Sequence, residues 1–323
     1  MNSSLKDKER NERFPLVTIW TLIYNTGPYV IESLKGITNQ SYPLDRIQNI
    51  IIDDFSTDNS ANLVENWINS NNYKCTFIRH KKNWGLCKTL NQVVDLMEGK
   101  YCMGSSDDLL FKDTIQTFVN AMEKTDDSIG LAISNMNIIN GKNKVISKQY
   151  LTPKIITHIK KEGSFFSKLL ENYFIPAPST FYKTNVYKEI GTYDESISVE
   201  DYDFHLRVAK KFNYIFIDKI LVSYRQHKSN LSNSYNSKEN LLMTQYCLLK
   251  HVNDKLNQKE VFYLGEAIRK NLEKGYKFNY GIKFRMLMYI DFLMKTKNKL
   301  FAISIITKLV IKNTKKTLRK YIK

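Results

Sequence analysis

The chain has 323 residues, of which 42% are hydrophobic, and a formal net charge of +17. This length provides one core of enzyme size or two smaller units, and the composition is typical of a folded globular protein. The four cysteines form no C-x-x-C pair, which argues against a zinc knuckle or a disulfide framework and favours a reducing compartment.

Strands and helices alternate along the first hundred residues. The apolar patterns predict strands at Val17–Tyr24, Ile50–Ile52, Thr76–Arg79 and Tyr101–Met103, with helices at Tyr29–Asn39, around Leu63–Ile68 and at Thr89–Met97. This alternation favours an α/β fold with a mainly parallel sheet and helices on both faces.

The later sequence has a different character. A strand is predicted at Ile129–Ser134 and a hairpin turn at Asn140-Gly141, whereas residues from Glu239 onward favour helices. Residues 236–323 carry a surplus charge of +14, and only +3 belongs to residues 1–235. We therefore expect a polar extension at 1–13, an α/β domain at 14–234 and a basic helical region at 235–323.

The apolar segments are too short for export or membrane insertion. Residues 1–13 alternate charged and amide side chains and do not resemble a secretory signal. The longest apolar stretches, Leu16–Tyr24 and Leu300–Ile311, fall short of the ~20 residues that cross a bilayer. We expect a cytoplasmic protein without a membrane span.

Two acidic pairs follow predicted strands. Asp53-Asp54 and Asp107-Asp108 come directly after the second and fourth strands, and ligands of such sheets bind beyond the carboxyl ends of strands. The pairs are therefore predicted to face one crevice. The first pair suits hydrogen bonds to a nucleobase or a ribose, and the second suits Mg²⁺ or Mn²⁺, which prefer oxygen ligands. Taken singly, each pair is better explained as a strand end or a helix cap.

A third acidic group lies at Glu200-Asp201. A carboxylate at a helix start is suited to act as general base toward an acceptor hydroxyl, although acids are also favourable there because of the helix dipole. His227 offers a further metal or phosphate ligand. A lone histidine is more often a surface or core residue.

The order of these blocks resembles the family 2 glycosyltransferases, which adopt the GT-A fold. The resemblance covers about residues 15–232, and its segments are Val17–Asn25, Ile51–Ser60, Asn83-Trp84-Gly85, Gly99–Asp108, Pro178–Tyr182 with Gly191–Asp201, and Tyr224–His227. It implies an inverting, metal-assisted transfer of one sugar from a nucleotide sugar, with UDP-sugar as donor and Mn²⁺ or Mg²⁺ as cofactor. The Gln-x-x-Arg-Trp motif of processive members is absent from the sequence.

The resemblance also implies roles for single residues. Asp201 is the general base, supported on the acceptor side by Glu200 and Ser179, and the metal ligands are Asp107, Asp108 and His227. The nucleotide sugar is bound by Tyr24, Asn25, Asp53, Asp54, Asn83, Lys88 and Asp107. Ser105 stands where many members have the first acid of Asp-x-Asp, and Leu22-Ile23 replaces Pro-Thr.

The basic end of the chain suggests partners. Residues 308–323 hold seven cations and no acid, with Ile311, Leu318 and Ile322 spaced to share a helical face. This pattern favours contact with an anionic membrane surface, where an enzyme of lipid-linked glycans and surface polysaccharides works. Packing on the catalytic domain is nearly as compatible. Two other classes stay open, a basic nucleic-acid-binding protein and a nucleotidyltransferase on a similar sheet.

Overall fold

The computed structural model describes residues 13–228, 230 and 237–277 and six single positions between 288 and 303. The helices and strands follow in chain order: β1 (Val17–Ile23), α1 (Gly27–Thr38), β2 (Ile47–Asp53), α2 (Ser60–Ser70), β3 (Thr76–Arg79), α3 (Leu86–Leu96), β4 (Tyr101–Gly104), β5 (Leu109–Leu110), α4 (Thr114–Met122), β6 (Ile129–Asn140), β7 (Val145–Ser147), α5 (Pro153–Lys160), α6 (Phe165–Glu171), β8 (Thr180–Lys183), α7 (Asn185–Ile190), α8 (Glu200–Ala209), β9 (Asn213–Gln226), α9 (Lys238–Leu249) and α10 (Gln258–Lys277).

The strands form one mixed sheet in the order β3-β2-β1-β4-β8-β6-β9-β5, with β7 paired to β6. The predicted α/β class is confirmed. Its parallel part is β3-β2-β1-β4, where a helix between successive strands supplies the crossover that parallel pairing needs. Beyond β4 the sheet departs from the mainly parallel expectation, because β8 runs antiparallel to both β4 and β6.

The two antiparallel pairings have a useful consequence for the direction of the last strand. Reversing direction from β4 to β8 and again from β8 to β6 restores the direction of β4, and β9 pairs parallel with β6. The carboxyl ends of β1, β2, β3, β4 and β9 therefore lie at one edge of the sheet, which we call the carboxyl edge. Residues as distant in sequence as those after β2 and after β9 share it.

The core forms where the helices cover the sheet. Helix α1 begins with Gly27-Pro28 and buries Val30, Ser33, Leu34 and Ile37, which recur at helical spacing. The consecutive isoleucines of β2, residues 50–52, are fully buried because helices cover both faces of a parallel strand. Rings of β4, α4 and β8 stack in the interior, with the Phe181 centroid 5.2 Å from that of Tyr101 and 5.1 Å from that of Phe118.

The chain divides into two compact units, and the sheet lies entirely in the first. The second comprises residues 163–173, 196–206 and those after 228. Its helix α10 buries Leu264, Ile268 and Leu272 on one face, while Asn271 donates hydrogen bonds to Leu241 O and Gln245 Oε1. The expected helical character after residue 239 is confirmed over the described positions.

Several sequence expectations fall outside the described residues. These are the polar extension up to residue 12, the expected boundary near residue 234 and the basic segment 308–323. Within the described part of the chain, no helix combines the length and apolar character needed to cross a bilayer.

A buried arginine joins four segments of the first unit. The guanidinium of Arg225, on β9, is shielded from solvent, and its Nη2 lies 2.8 Å from Glu32 Oε2 of α1. Its Nε donates to Asp107 O at 2.8 Å and its Nη1 donates to Asn143 Oδ1, and the guanidinium carbon lies 4.8 Å from the centroid of Tyr29. One side chain thereby ties α1, the loop after β4 and the β6–β7 hairpin to β9.

Replacement of this arginine tests how much the junction contributes to stability. Arg225→Lys keeps the charge but lacks the planar fork, so it leaves Asp107 O or Asn143 Oδ1 without a donor in a buried setting. We expect the free energy of unfolding to fall by about 2–3 kcal/mol in urea denaturation.

The matched control is Arg79→Lys, which alters an exposed ion pair with Glu65. This change is expected to cost less than about 1 kcal/mol. Equal losses for the two variants would contradict a special role for the buried guanidinium.

Candidate active site

The carboxyl edge gathers the acidic pairs that the sequence placed after strands. Asp53 ends β2 and Asp107-Asp108 follows β4, and β1 lies between these strands with parallel pairing on both sides. His227 follows β9 at the same edge. Loops that follow neighbouring parallel strands are the usual place for ligand binding in such sheets.

Asp54 organises the loop that follows β3. Its buried carboxylate accepts hydrogen bonds from His80 Nδ1 at 2.8 Å, from the backbone N of Trp84 at 2.7 Å and from that of Gly85 at 2.9 Å. Gly85 has φ +83°, a conformation in which glycine is favoured. Because a carboxylate has about four acceptor positions, three protein donors leave one for a ligand.

Asp53 and Asn25 close the turns at the ends of β2 and β1. Asp53 Oδ2 accepts from the backbone N of Ser56 at 3.1 Å, while its buried Oδ1 has no hydrogen-bond partner among the described residues. Asn25 donates its backbone N–H to Ser56 Oγ at 3.0 Å and accepts from the backbone N of Thr57 at 2.8 Å. Both side chains therefore act within the turns.

Exposed groups stand beside these turns. Tyr24 is 51% exposed and Trp84 is 37% exposed. The Trp84 ring stacks on His80 at a centroid distance of 4.1 Å, and Lys88 Nζ lies 4.9 Å from the Trp84 centroid. Asn83 Nδ2 donates to Asp54 O at 3.2 Å. Flat rings and a cation are thus presented to solvent at the edge, which suits a ligand with a base and phosphates.

Asp107 and His227 meet across a long stretch of sequence. His227 Nε2 donates to Asp107 Oδ2 at 2.5 Å, and the imidazole lies against the Tyr29 ring at a centroid distance of 4.6 Å. The Asp107 side chain is 17% exposed and that of His227 is 7% exposed. The structure therefore brings two of the three expected metal ligands together.

Asp108 and Ser105 point elsewhere. The carboxylate of Asp108 accepts from the backbone N of Arg225 at 2.8 Å, and burial together with the charge of Asp107 raises the pKa of Asp108. Ser105 lies 3.0 Å from Ser33 through their hydroxyl oxygens, in the interior. Ser105, which stands where many family members have the first acid of Asp-x-Asp, therefore pairs with Ser33 in the interior.

The donor set can be tested for its fit to a metal. The described residues contain no group of three His, Cys, Asp or Glu side chains that would hold an ion alone. A carboxylate oxygen and an imidazole nitrogen, completed by phosphate and water, nevertheless suit Mn²⁺, and Mg²⁺ also commonly takes few protein ligands. Asp107 and His227 fit such a site, and Asp108 does not converge with them.

The acids of the second unit start helix α8, where the positive end of the helix dipole favours negative charge. Burial raises the pKa of Asp201 to about 6. Burial and the neighbouring charge of Asp201 raise the pKa of Glu200 to about 8. Burial and mutual repulsion therefore disfavour the state in which both carboxyls of this pair are ionised.

The first turn of α8 is held by residues that the sequence analysis did not select. Lys250 Nζ lies 2.6 Å from the buried Asp203 Oδ1. His205 Nδ1 lies 2.8 Å from Tyr173 OH, and the imidazole also hydrogen-bonds to the Asp201 backbone. Burial lowers the pKa of His205 to about 3, so this imidazole is neutral. Its position four residues after Asp201 was the available signal.

Ser179 does not reach solvent. It ends a 3₁₀ turn at Ala177–Ser179, is fully buried and places its hydroxyl 2.5 Å from Ser134 Oγ of β6. The structure thus gives Ser179 a packing role between β8 and β6.

Comparison with known proteins adds an independent line of support. Residues 18–191 match the family described as glycosyl transferase family 2, a span of more than half the chain. An uncharacterized glycosyltransferase of Rickettsia felis is 27% identical over 246 residues, which are 75% of this chain and 40% of that protein. One of Haemophilus influenzae is 28% identical over 239 residues, 71% of each chain. The chain spans about two-fifths of the first relative's length.

Solved structures share the fold. Staphylococcus aureus TarS, residues 1–349 in complex with UDP-GlcNAc, superposes with a TM-score of 0.69 at 18% identity, over 87% of this chain and 81% of that one. A mannosyltransferase of Pyrobaculum calidifontis in complex with GDP-Man and Mn²⁺ gives 0.58 at 15% identity, over 96% and 95%. At such identities the likeness concerns the fold alone. Together with the match over residues 18–191, these findings mean that the chain belongs to glycosyl transferase family 2 and has the GT-A fold.

Proposed function

We propose that the protein is an inverting glycosyltransferase that moves one sugar at a time from a UDP-sugar to a hydroxyl of a glycan. The observation that carries this proposal is the pairing of Asp107 with His227 at the carboxyl edge, beside the turn of Asp54. Carboxylate and imidazole there provide a place for a nucleotide diphosphate and its cation.

The residues of the carboxyl edge divide the binding of the donor. Asp54 keeps one acceptor position for an N–H of the base, and Tyr24 supplies an exposed ring beside it. Lys88 and Asn83 flank the same loop and offer a cation and an amide to the phosphates and ribose. Asp53 and Asn25 act by holding the turns on which these groups stand.

The cofactor would be held by Asp107 and His227. When bound, Mn²⁺ or Mg²⁺ neutralises negative charge on the diphosphate leaving group. Asp108 contributes by fixing the backbone of Arg225, two residues before His227. In this assignment Asp108 positions the site and does not ligate the ion.

The chemical step needs only a base and a leaving group. The acceptor hydroxyl oxygen forms a bond to the anomeric carbon while the bond from that carbon to the diphosphate oxygen breaks. Asp201 takes the hydroxyl proton, and the nucleoside diphosphate leaves with the bonding electron pair. Attack opposite the leaving group inverts the anomeric configuration. Glu200, the neighbour of Asp201 at the start of α8, supports the acceptor side.

The setting of the reaction follows from the same proposal. We assign hexosyl or N-acetylhexosaminyl transfer to a glycan or lipid-linked glycan in bacterial surface polysaccharide synthesis, at the cytoplasmic face of the membrane. The catalytic domain is residues 14–234, and the basic region 235–323 supplies the membrane contact through residues 308–323. The similar structures with bound UDP-GlcNAc and with bound GDP-Man support a nucleotide-sugar donor.

Replacement of the proposed base tests the mechanism. Asp201→Asn keeps the shape of the side chain but cannot take a proton, so kcat should fall by about 10²–10⁴-fold while the affinity for UDP stays unchanged. Transfer is measured as nucleoside diphosphate release from the nucleotide sugar that wild type uses, and NMR of the product reads the anomeric configuration.

The control for this experiment is Asp218→Asn, which alters an exposed aspartate paired with Lys160. Its kcat should match that of wild type. Undiminished turnover by Asp201→Asn, or a product of retained configuration, would exclude the proposed mechanism.

The pH dependence follows from the raised pKa of Asp201. A general base works when ionised, so kcat/KM should be constant above pH 6 as far as this group is concerned and fall about tenfold per pH unit below it. Initial rates between pH 5 and 7.5, with folding checked by circular dichroism, provide the measurement. A flat profile down to pH 5 with the protein still folded would contradict the assignment.

Removal of one donor tests the cation site. His227→Ala leaves Asp107 as the single remaining ligand of the pair, so the Kd for Mn²⁺ in the presence of UDP should rise at least about tenfold, measured by electron paramagnetic resonance of free Mn²⁺. His158→Ala, at another buried histidine, should leave this Kd unchanged. Equal Mn²⁺ affinities of the His227→Ala variant and wild type would place the cation elsewhere.

A further inference from the structure

Phe55 has an unusual backbone conformation. Among the described residues, four non-glycine positions have positive φ, and the other three are the asparagines Asn25, Asn72 and Asn143. Asparagine tolerates the left-handed region because its side chain bonds locally. Phe55, at φ +67°, lacks that compensation, and its Cβ crowds the neighbouring carbonyl.

The surrounding turn imposes this conformation. On one side of Phe55 the backbone N of Asp54 donates to Ile23 O at 2.8 Å. On the other side the backbone N of Ser56 donates to Asp53 Oδ2 at 3.1 Å, and Ser56 Oγ accepts from Asn25 N at 3.0 Å. Hydrogen bonds clamp both neighbours, so the position stays left-handed whichever residue occupies it.

Packing does not compensate for the strain. Phe55 is 46% exposed and is not part of the hydrophobic core that covers the sheet. A ring in the core would offset an unfavourable backbone by burial, and a half-exposed ring offsets little. Strained positions of this kind persist where the surroundings over-determine them, and they cluster at functional sites.

Phe55 is one of three exposed aromatic residues that follow neighbouring strands. Tyr24, Phe55 and Trp84 follow β1, β2 and β3, which are neighbours in the sheet, and we call these three side chains the aromatic rim. Trp84 already stacks on His80. The rim borders Asp54, whose carboxylate has an acceptor position left for a base N–H.

We infer that Phe55 is a donor-binding residue whose ring packs against the nucleoside of the sugar nucleotide, and that the turn is kept strained to present it. This inference rests on the proposed function. A nucleoside offers flat apolar faces, and an aromatic side chain beside them adds affinity independently of hydrogen bonds. Glycine at residue 55 would relieve the backbone strain, but it has no ring. The strain is therefore the cost of placing an aromatic side chain at this position.

Three substitutions separate the ring from the strain. Phe55→Gly removes both, Phe55→Ala removes the ring and keeps the strain, and Phe55→Tyr keeps both. We expect Phe55→Gly to raise Tm by a few degrees, since glycine adopts positive φ without a clash. Phe55→Ala should give no such rise.

Nucleotide affinity should follow the ring and not the stability. Affinity is measured by calorimetry with UDP, or with GDP if wild type prefers it. Phe55→Gly and Phe55→Ala should each raise the Kd about tenfold. Phe55→Tyr should stay near wild type. Asn72→Gly, at another left-handed position, is the backbone control and should leave affinity unchanged.

The outcomes also distinguish this inference from the proposal on which it rests. If wild type binds neither nucleotide, the proposed donor class is wrong, whatever the Phe55 variants show. If wild type binds a nucleotide and Phe55→Gly binds it equally well, with kcat/KM unchanged, the ring has no part in donor binding and the inference is wrong.

Discussion

The candidate site depends most on the hydrogen bonds of the buried Arg225 guanidinium. A guanidinium removed from water has to be matched by acceptors, and here these are a carboxylate on α1, an amide on the β6–β7 hairpin and the backbone carbonyl of Asp107. The backbone N of the same residue donates to Asp108. The loop after β4 and the end of β9 are thereby fixed against each other, and the meeting of Asp107 with His227 follows from that.

Hydrogen bonds from the protein are distributed unevenly over the acidic pairs that follow β2 and β4. Asp108 holds the backbone of β9, and Asp53 closes its turn through one oxygen. Asp54, with three protein donors, and Asp107, paired with His227, each keep capacity for a ligand.

The sequence predicted the fold class and the position of the acids because both depend on local patterns. Apolar strands alternating with helices predict a parallel core, and turn residues after Ile52 and Met103 mark strand ends. The resemblance to family 2 then named Asp107 and His227 together. What local patterns do not contain is the direction of a side chain. The inward orientation of Asp108 and the burial of Ser179 depend on β8 and β9, which reach the site from distant sequence.

Arg225 and Phe55 escaped prediction for a related reason. An arginine followed by Gln-His is read as a surface residue until three partners from other segments surround it. A phenylalanine after two aspartates gives no sign of positive φ, because that conformation is set by hydrogen bonds between the turns of β1 and β2. Both features are tertiary in origin.

Three unfavourable features of the first unit lie at its carboxyl edge. They are a buried guanidinium, a strained phenylalanine and a buried Asp53 oxygen with no donor among the described residues. Local conflicts of this kind are tolerated when a stable scaffold offsets them, and they mark the places where selection has acted on something other than stability.

The second unit also has an unfavourable feature at a proposed functional position. Burial at the start of α8 disfavours ionisation of Glu200 and Asp201, and a neutral histidine and a lysine–aspartate pair hold the turn that carries them. Burial of this kind would destabilise an ordinary helix start, and it is what raises the pKa of a carboxylate toward the range useful to a base.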